Sequence, residues 1–233
     1  SNYSYTSQLM KDYPVISSFS NDEVKDGERL DYEIRPEAVW DNGTPITGHD
    51  YTFTIKCLLN PKTNCEHLKP YFDWVYDIQV DPTNPKKFSV FSNKKYYIIE
   101  ETAGSYIIPE YNYDPNHIMK KFSIKDMNTQ AKRDALKENT DILAFAESFN
   151  SEKYSRDPNY VVGSGPYRLE KWVTGQELVF KRKDTWWGDK FAEMRDFWEQ
   201  IQAFALSHNP SNSLRSDEIY REELEWRKDI QET

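Results

Sequence analysis

The chain has 233 residues, enough for one large or two small domains with a core of their own. Its formal charge of -9 argues against nucleic acid or an anionic membrane as principal partner, since both demand clustered cations. Hydrophobic residues make up only 37% but aromatics 15%, so burial must rest on large amphipathic rings. Neither a membrane-spanning run nor an export signal is present. Ser1-Asn2 reads as the remnant of a cleaved tag, so that absence does not decide the compartment.

Residues 3–20 are polar and aromatic without clear period, and Asn21-Asp22 with Asp26-Gly27 marks a turn before a strand predicted over residues 29–35. There Tyr32 and Ile34 alternate with charged neighbours. Asn42-Gly43 is a pair that accepts positive φ. Thr47-Gly48-His49-Asp50 is a capping box with Asp in place of the usual Glu. It opens a helix predicted to run to Asn60, with Phe53 or Thr54, Cys57 and Leu58 on the buried stripe and Pro61 ending it. Cys57 and Cys65 have no zinc-ligand spacing; they are either two unlinked thiols or a disulfide closing the end of that helix.

Tyr71, Phe72 and Trp74 precede a strand in which Ile78 and Val80 alternate with Asp77, Gln79 and Asp81. The three aromatics either pack a core at the strand entrance or form a platform lining a ligand cleft. Residues 81–85 are a turn cluster, and residues 87–92 read as the antiparallel neighbour, with Phe88 and Val90 inward or Phe91 opposite. Residues 96–99 extend that meander or start a helix. Two helices are predicted between Asp126 and Asn150, the second carrying Ile142, Leu143, Phe145, Ala146 and Phe149, to cover one face of the sheet. Residues 154–160 have loop composition, and a domain boundary is placed there.

Gly163-Ser164-Gly165-Pro166 fails as a nucleophile elbow, because Val162 and Pro166 stand where glycines are needed, and it lacks the Lys-Ser/Thr ending of a phosphate loop. It reads as a turn whose glycines relieve the backbone before a strand. Residues 167–173 and 177–182 flank Thr174-Gly175 as a hairpin, with Leu169 and Trp172 against Leu178 and Phe180. Met194, Phe197, Trp198, Ile201, Phe204 and Ala205 recur at helical spacing, and Ser216-Asp217-Glu218 caps a last charged helix bearing Ile219, Tyr220, Leu224, Trp226 and Ile230. His49, His67, His117 and His208 form no metal-binding spacing, and 39 carboxylates without a diagnostic frame select no acid/base pair. No enzyme, cofactor or metal centre is indicated.

Three blocks together carry a resemblance. They are Trp40-Asp41-Asn42-Gly43-Thr44-Pro45-Ile46-Thr47 followed by Asp50 and Phe53; Val162-Gly163-Ser164-Gly165-Pro166-Tyr167-Arg168-Leu169; and FKRKDTWWG over residues 180–188. In this order they resemble the family of extracellular solute-binding proteins that deliver peptides, and in some branches nickel, to ABC transporters. Asp41 and Asn42 stand where that family usually has Ser and Asp, and Tyr111 stands where a His often follows the aliphatic-Pro segment.

The resemblance covers roughly residues 22–190. It implies a mixed α/β (α+β) arrangement, part of a type II periplasmic-binding-protein-like fold, with residues 1–155 as the smaller lobe and 156–233 as a partial larger lobe with divergent C-terminal helices. It implies capture of a peptide or small solute between two lobes, with Tyr71, Phe72 and Trp74 as ligand-facing candidates and Gly163, Ser164, Gly165 and Pro166 as the inter-lobe turn. Its partner would be the membrane permease, in the periplasm or outside the cell, with a lipid anchor possible on the full-length protein. The alternative is a non-catalytic interaction module that uses the C-terminal helices for assembly or self-association.

Overall fold

A computed structural model describes residues 8–104, 106–191, 194–196, 198–201 and 203. Described residues up to Trp187 belong to one compact unit and those from Gly188 on to a second.

The first unit is built on an antiparallel sheet of β1 (Val15–Phe19), β2 (Gly27–Glu33), β3 (Val75–Val80) and β4 (Lys87–Ser92), in the order β1-β2-β4-β3. Register explains its inner face. Val90 stands opposite both Leu30 and Ile78, and Phe88 opposite both Tyr32 and Val80. Leu30 and Val90 are fully buried, each contributing about 1.5–3 kcal/mol over an exposed position. Phe91, one place out of step, points to the other face, where it packs with Val24, Tyr76 and Phe19. Strand β1 carries no clear signal in the sequence, because an edge strand bonded only to β2 leaves most of its side chains in water. The turn before β2 is fastened by Asn21, whose Oδ1 accepts the amides of Glu23 at 2.9 Å and Val24 at 2.7 Å.

Helix α1 (Gly48–Leu59) lies on the inner face. Its capping box is as predicted: Thr47 accepts from the His49 amide, and Asp50 accepts from the Thr47 amide at 2.9 Å. Gly48 allows the close seat, since a Cβ there would stand 2.7 Å from Phe88 Cβ. Tyr51 stacks obliquely on Phe88 at 5.0 Å, and its hydroxyl donates to Ala103 O at 3.0 Å, tying in α2 (Ile99–Ala103). Of the two readings of residues 96–99, extension of the meander or the start of a helix, the structure has the helix, which begins at Ile99. After α3 (Glu110–Tyr113) come α4 (Gln130–Ala135) and α5 (Thr140–Phe149). These two were expected on the sheet; the ring contacts place α1 on the sheet and α5 on α1, Phe145 meeting Phe53 edge-on at 6.0 Å.

Residues 154–160 are not wholly loop, because α6 (Lys153–Arg156) ends with Tyr154 buried. The hairpin β5 (Tyr167–Val173) and β6 (Glu177–Arg182) forms a sheet of its own, with Leu169 opposite Phe180 and Trp172 opposite Leu178 as predicted, and Gly175 at φ +74°. Residues 194–196 and 198–201 are helical. The predicted last helix, with Ser216, Ile219 and Trp226, lies outside the described residues, as does His208.

Candidate functional site

Residues far apart in the chain meet beside the turn that follows Trp40. That turn closes because the Gly43 amide donates to Trp40 O at 2.8 Å and the Trp40 amide to Thr44 O at 2.9 Å, while Gly43 takes φ +80°. Asn42 stiffens it, accepting from the Thr44 amide at 3.0 Å and hydroxyl at 2.7 Å. Asp41 is thereby carried to the tip. There it pairs with Lys183, which leaves the end of β6 and also donates to Gly163 O at 3.3 Å. The Lys183 amide closes the open end of the hairpin on Pro166 O at 2.8 Å.

Ser164 O receives two indoles, Trp186 Nε1 at 2.7 Å and Trp187 Nε1 at 3.0 Å. One carbonyl thus satisfies both tryptophans, which pack against each other at 5.5 Å. All three sequence blocks therefore converge through Asp41, Gly163, Ser164, Lys183, Trp186 and Trp187. Gly163 and Gly165 are not there for backbone relief: neither takes a left-handed conformation, and a Cβ on either would meet nothing within 4 Å. What the segment supplies is its carbonyl oxygens.

Asp50, in the first turn of α1, is almost sealed from solvent. Burial raises its pKa, and the amides of Thr47 and Glu110 with the Thr47 hydroxyl partly offset that. Lys86 nearby has its own pKa lowered by burial and donates to Ala38 O at 2.6 Å. These groups bind backbone and hold turns; they aim no proton at open space. His117, at φ 54°, pairs with Glu110 at 2.9 Å on the surface. Among the described residues no cluster of three metal-ligating side chains occurs, and no helix is long and apolar enough to cross a membrane.

The predicted aromatic trio divides by depth. Tyr71, on the helical turn Lys69–Phe72, is 54% exposed, whereas Phe72 at 5% and Trp74 at 1% lie in the main core. Two concavities open elsewhere in this unit. One, of about 550 Å³, lies over the strands between Tyr13, Arg29, Asp31, Gln79 and Ser89. The other, of about 420 Å³, is lined by Cys65, Tyr113, Phe149 and Tyr154. Neither is lined by Tyr71, Phe72 or Trp74. Sequence reasoning passed over Lys183 and Asp41 as a pair, since their separation of 142 positions gives no local signal.

A family model described as bacterial extracellular solute-binding proteins, family 5 Middle, matches residues 6–197. The periplasmic oligopeptide-binding protein OppA of Haemophilus influenzae is 22% identical over 183 residues, covering 78% of this chain and 30% of OppA. The dipeptide-binding protein DppE of Bacillus subtilis is 22% identical over 167 residues, covering 70% of this chain and 26% of DppE. Among solved structures, the oligopeptide-binding protein of Thermus thermophilus complexed with a pentapeptide superposes with TM-score 0.51 at 22% identity, covering 76% of this chain and 29% of that one. That likeness shows the fold. The chain thus spans less than a third of the length of these relatives. With more than three quarters of its residues inside the family model, the chain belongs to the bacterial extracellular solute-binding proteins of family 5.

Proposed function

We propose that this chain is part of the substrate-binding component of an ABC transporter, capturing a peptide or related small solute between two lobes and passing it to a membrane permease. The observation that carries the reading is the junction of Asp41, Lys183, Gly163 and Ser164. Through Lys183, whose side chain is 12% exposed, it ties the segment around Gly163 to the turn that follows Trp40. In this reading residues 1–155 belong to the smaller lobe, 156–233 begin the larger one, and Gly163-Ser164-Gly165-Pro166 leads between them. The independence of the β5–β6 sheet supports that division. Tyr71 would face the ligand, with Phe72 and Trp74 holding it from beneath. No catalytic group is needed, because an extended peptide is gripped largely through backbone hydrogen bonds. The protein would work in the periplasm or outside the cell, with a lipid anchor on the full-length form.

A second reading, a non-catalytic assembly module, draws on one observation: Trp172, Leu178 and Phe180 are 42–52% exposed on one face of the hairpin. Of the C-terminal helices first considered for this role, the last lies outside the described residues, and the one before it is described only in part. Thermal unfolding with and without a mixture of short peptides separates the readings. A ligand present at about 100 times its Kd stabilises the folded state by about 2.7 kcal/mol and raises the midpoint. An unchanged midpoint at millimolar peptide would sink capture by this chain on its own and favour assembly.

A further inference from the structure

Cys65 forms part of the wall of the cavity of about 420 Å³, and Cys57 is buried near the end of α1, close enough for a charge on Cys65 to act on it; both are free. The chain between them folds back on the helix. Thr63 Oγ1 donates to Cys57 O at 2.7 Å and Asn60 O at 3.1 Å, and the Cys65 amide donates to Thr63 O at 2.8 Å. Asn150, capping the far end of α5, clamps this fold-back, accepting from the Asn64 amide at 2.8 Å and donating to Lys62 O at 2.9 Å. Position 65 is therefore fixed over the last turn of α1. The Tyr113 phenol, in the cavity wall beside Cys65, is near enough to Cys57 for a thiolate there to raise its pKa.

We propose that Cys57 and Cys65 form a thiol–disulfide pair, open in this structure, and that the cavity admits the small disulfide whose exchange closes it. The extracellular setting of the proposed function supplies the oxidant, since oxidising compartments convert neighbouring thiols to disulfides. The Cys65 thiolate attacks one sulfur of a disulfide RSSR, forming Cys65–S–SR and releasing RS⁻. The Cys57 thiolate then attacks Cys65 Sγ, expelling the second RS⁻. The two thiol protons end on two RSH, so RSSR is reduced and the protein pair oxidised by two electrons. Cys65 attacks first because it is reachable. Burial raises its pKa, but the Thr63 hydroxyl and the Lys69 ammonium pull it back, whereas Cys57, sealed by the core, is raised well above the ordinary thiol value.

The test is incubation of the reduced chain with oxidised glutathione at mildly alkaline pH, followed by intact mass, thiol titration after denaturation, and peptide mapping. The expected product has lost two hydrogens and both titratable thiols, links the peptides carrying Cys57 and Cys65, and unfolds at a higher temperature than the reduced chain. Its rate should rise about tenfold per pH unit below the pKa of Cys65. Cys57→Ser should stop at a glutathione adduct on Cys65, and Cys65→Ser should keep its single thiol. A parent chain that halts at the adduct, or retains both thiols, overturns the proposal. None of these readouts involves a bound solute, so failure of the transport reading leaves them unaffected.

Discussion

Glycine has two different roles in this chain, and the difference is measurable. At Gly48 a Cβ would stand 2.7 Å from Phe88 Cβ and 2.9 Å from its Cγ. These are the root atoms of a side chain already pressed between Tyr32 and Tyr51, so neither partner can swing aside. Gly48→Ala should therefore destabilise the chain by about 1–3 kcal/mol in urea unfolding, despite the better helix propensity of alanine. Gly163→Ala, with nothing within 4 Å of its Cβ, should stay within about 0.5 kcal/mol of the parent. The reverse ranking would mean that the segment around Gly163 is tighter than its geometry indicates. The capping box at Thr47 and the positive φ at Gly43 were legible in the sequence, since both rest on groups a few positions apart. The roles of Gly48 and Gly163 were not, since they depend on what the sheet and the tryptophans bring against them.

Helix α1 and the β5–β6 hairpin show the same division among elements. Their ends followed the sequence closely because caps, Pro61 and the Thr174-Gly175 turn are local devices. Strand β1 was missed because an edge strand leaves most of its side chains in water, and helix α6 because its buried Tyr154 packs on Tyr113, far back in the chain. What anchors the hairpin is also distant: Lys183, with its side chain 12% exposed, joins Asp41 and Gly163 O. Lys183→Met should cost about 1–3 kcal/mol, because it strands a partly buried carboxylate and a carbonyl. Amide exchange should quicken across residues 163–187 while the β2–β4 ladder keeps its protection. Equal quickening in both regions would show that the hairpin is not separately anchored.

Stability as a function of pH belongs to the core as a unit. Burial raises the pKa of Cys57 well above its ordinary 9.0 and of Tyr51 well above 10.0, and Tyr32 is raised too, chiefly by burial and then by the charge of Glu100. In the unfolded chain these groups ionise near their ordinary values, while in the folded chain they remain neutral. Their contribution is thus fully present below about pH 9 and is lost as pH rises toward the folded-state values. Tyr51→Phe should remove about 1 kcal/mol of stability loss over the pH unit above 10.0, read from urea midpoints; an unchanged alkaline slope would refute its share. The three blocks that identify the family, the capped helix and the hairpin could all be read from residue order, because each depends on neighbours along the chain. Strand order β1-β2-β4-β3, the sinking of Phe72 and Trp74 into the core while Tyr71 stays in water, and the meeting of Asp41 with Lys183 required the folded chain. Such long-range contacts are selected by how buried surfaces fit together, and no local pattern of residues encodes that fit.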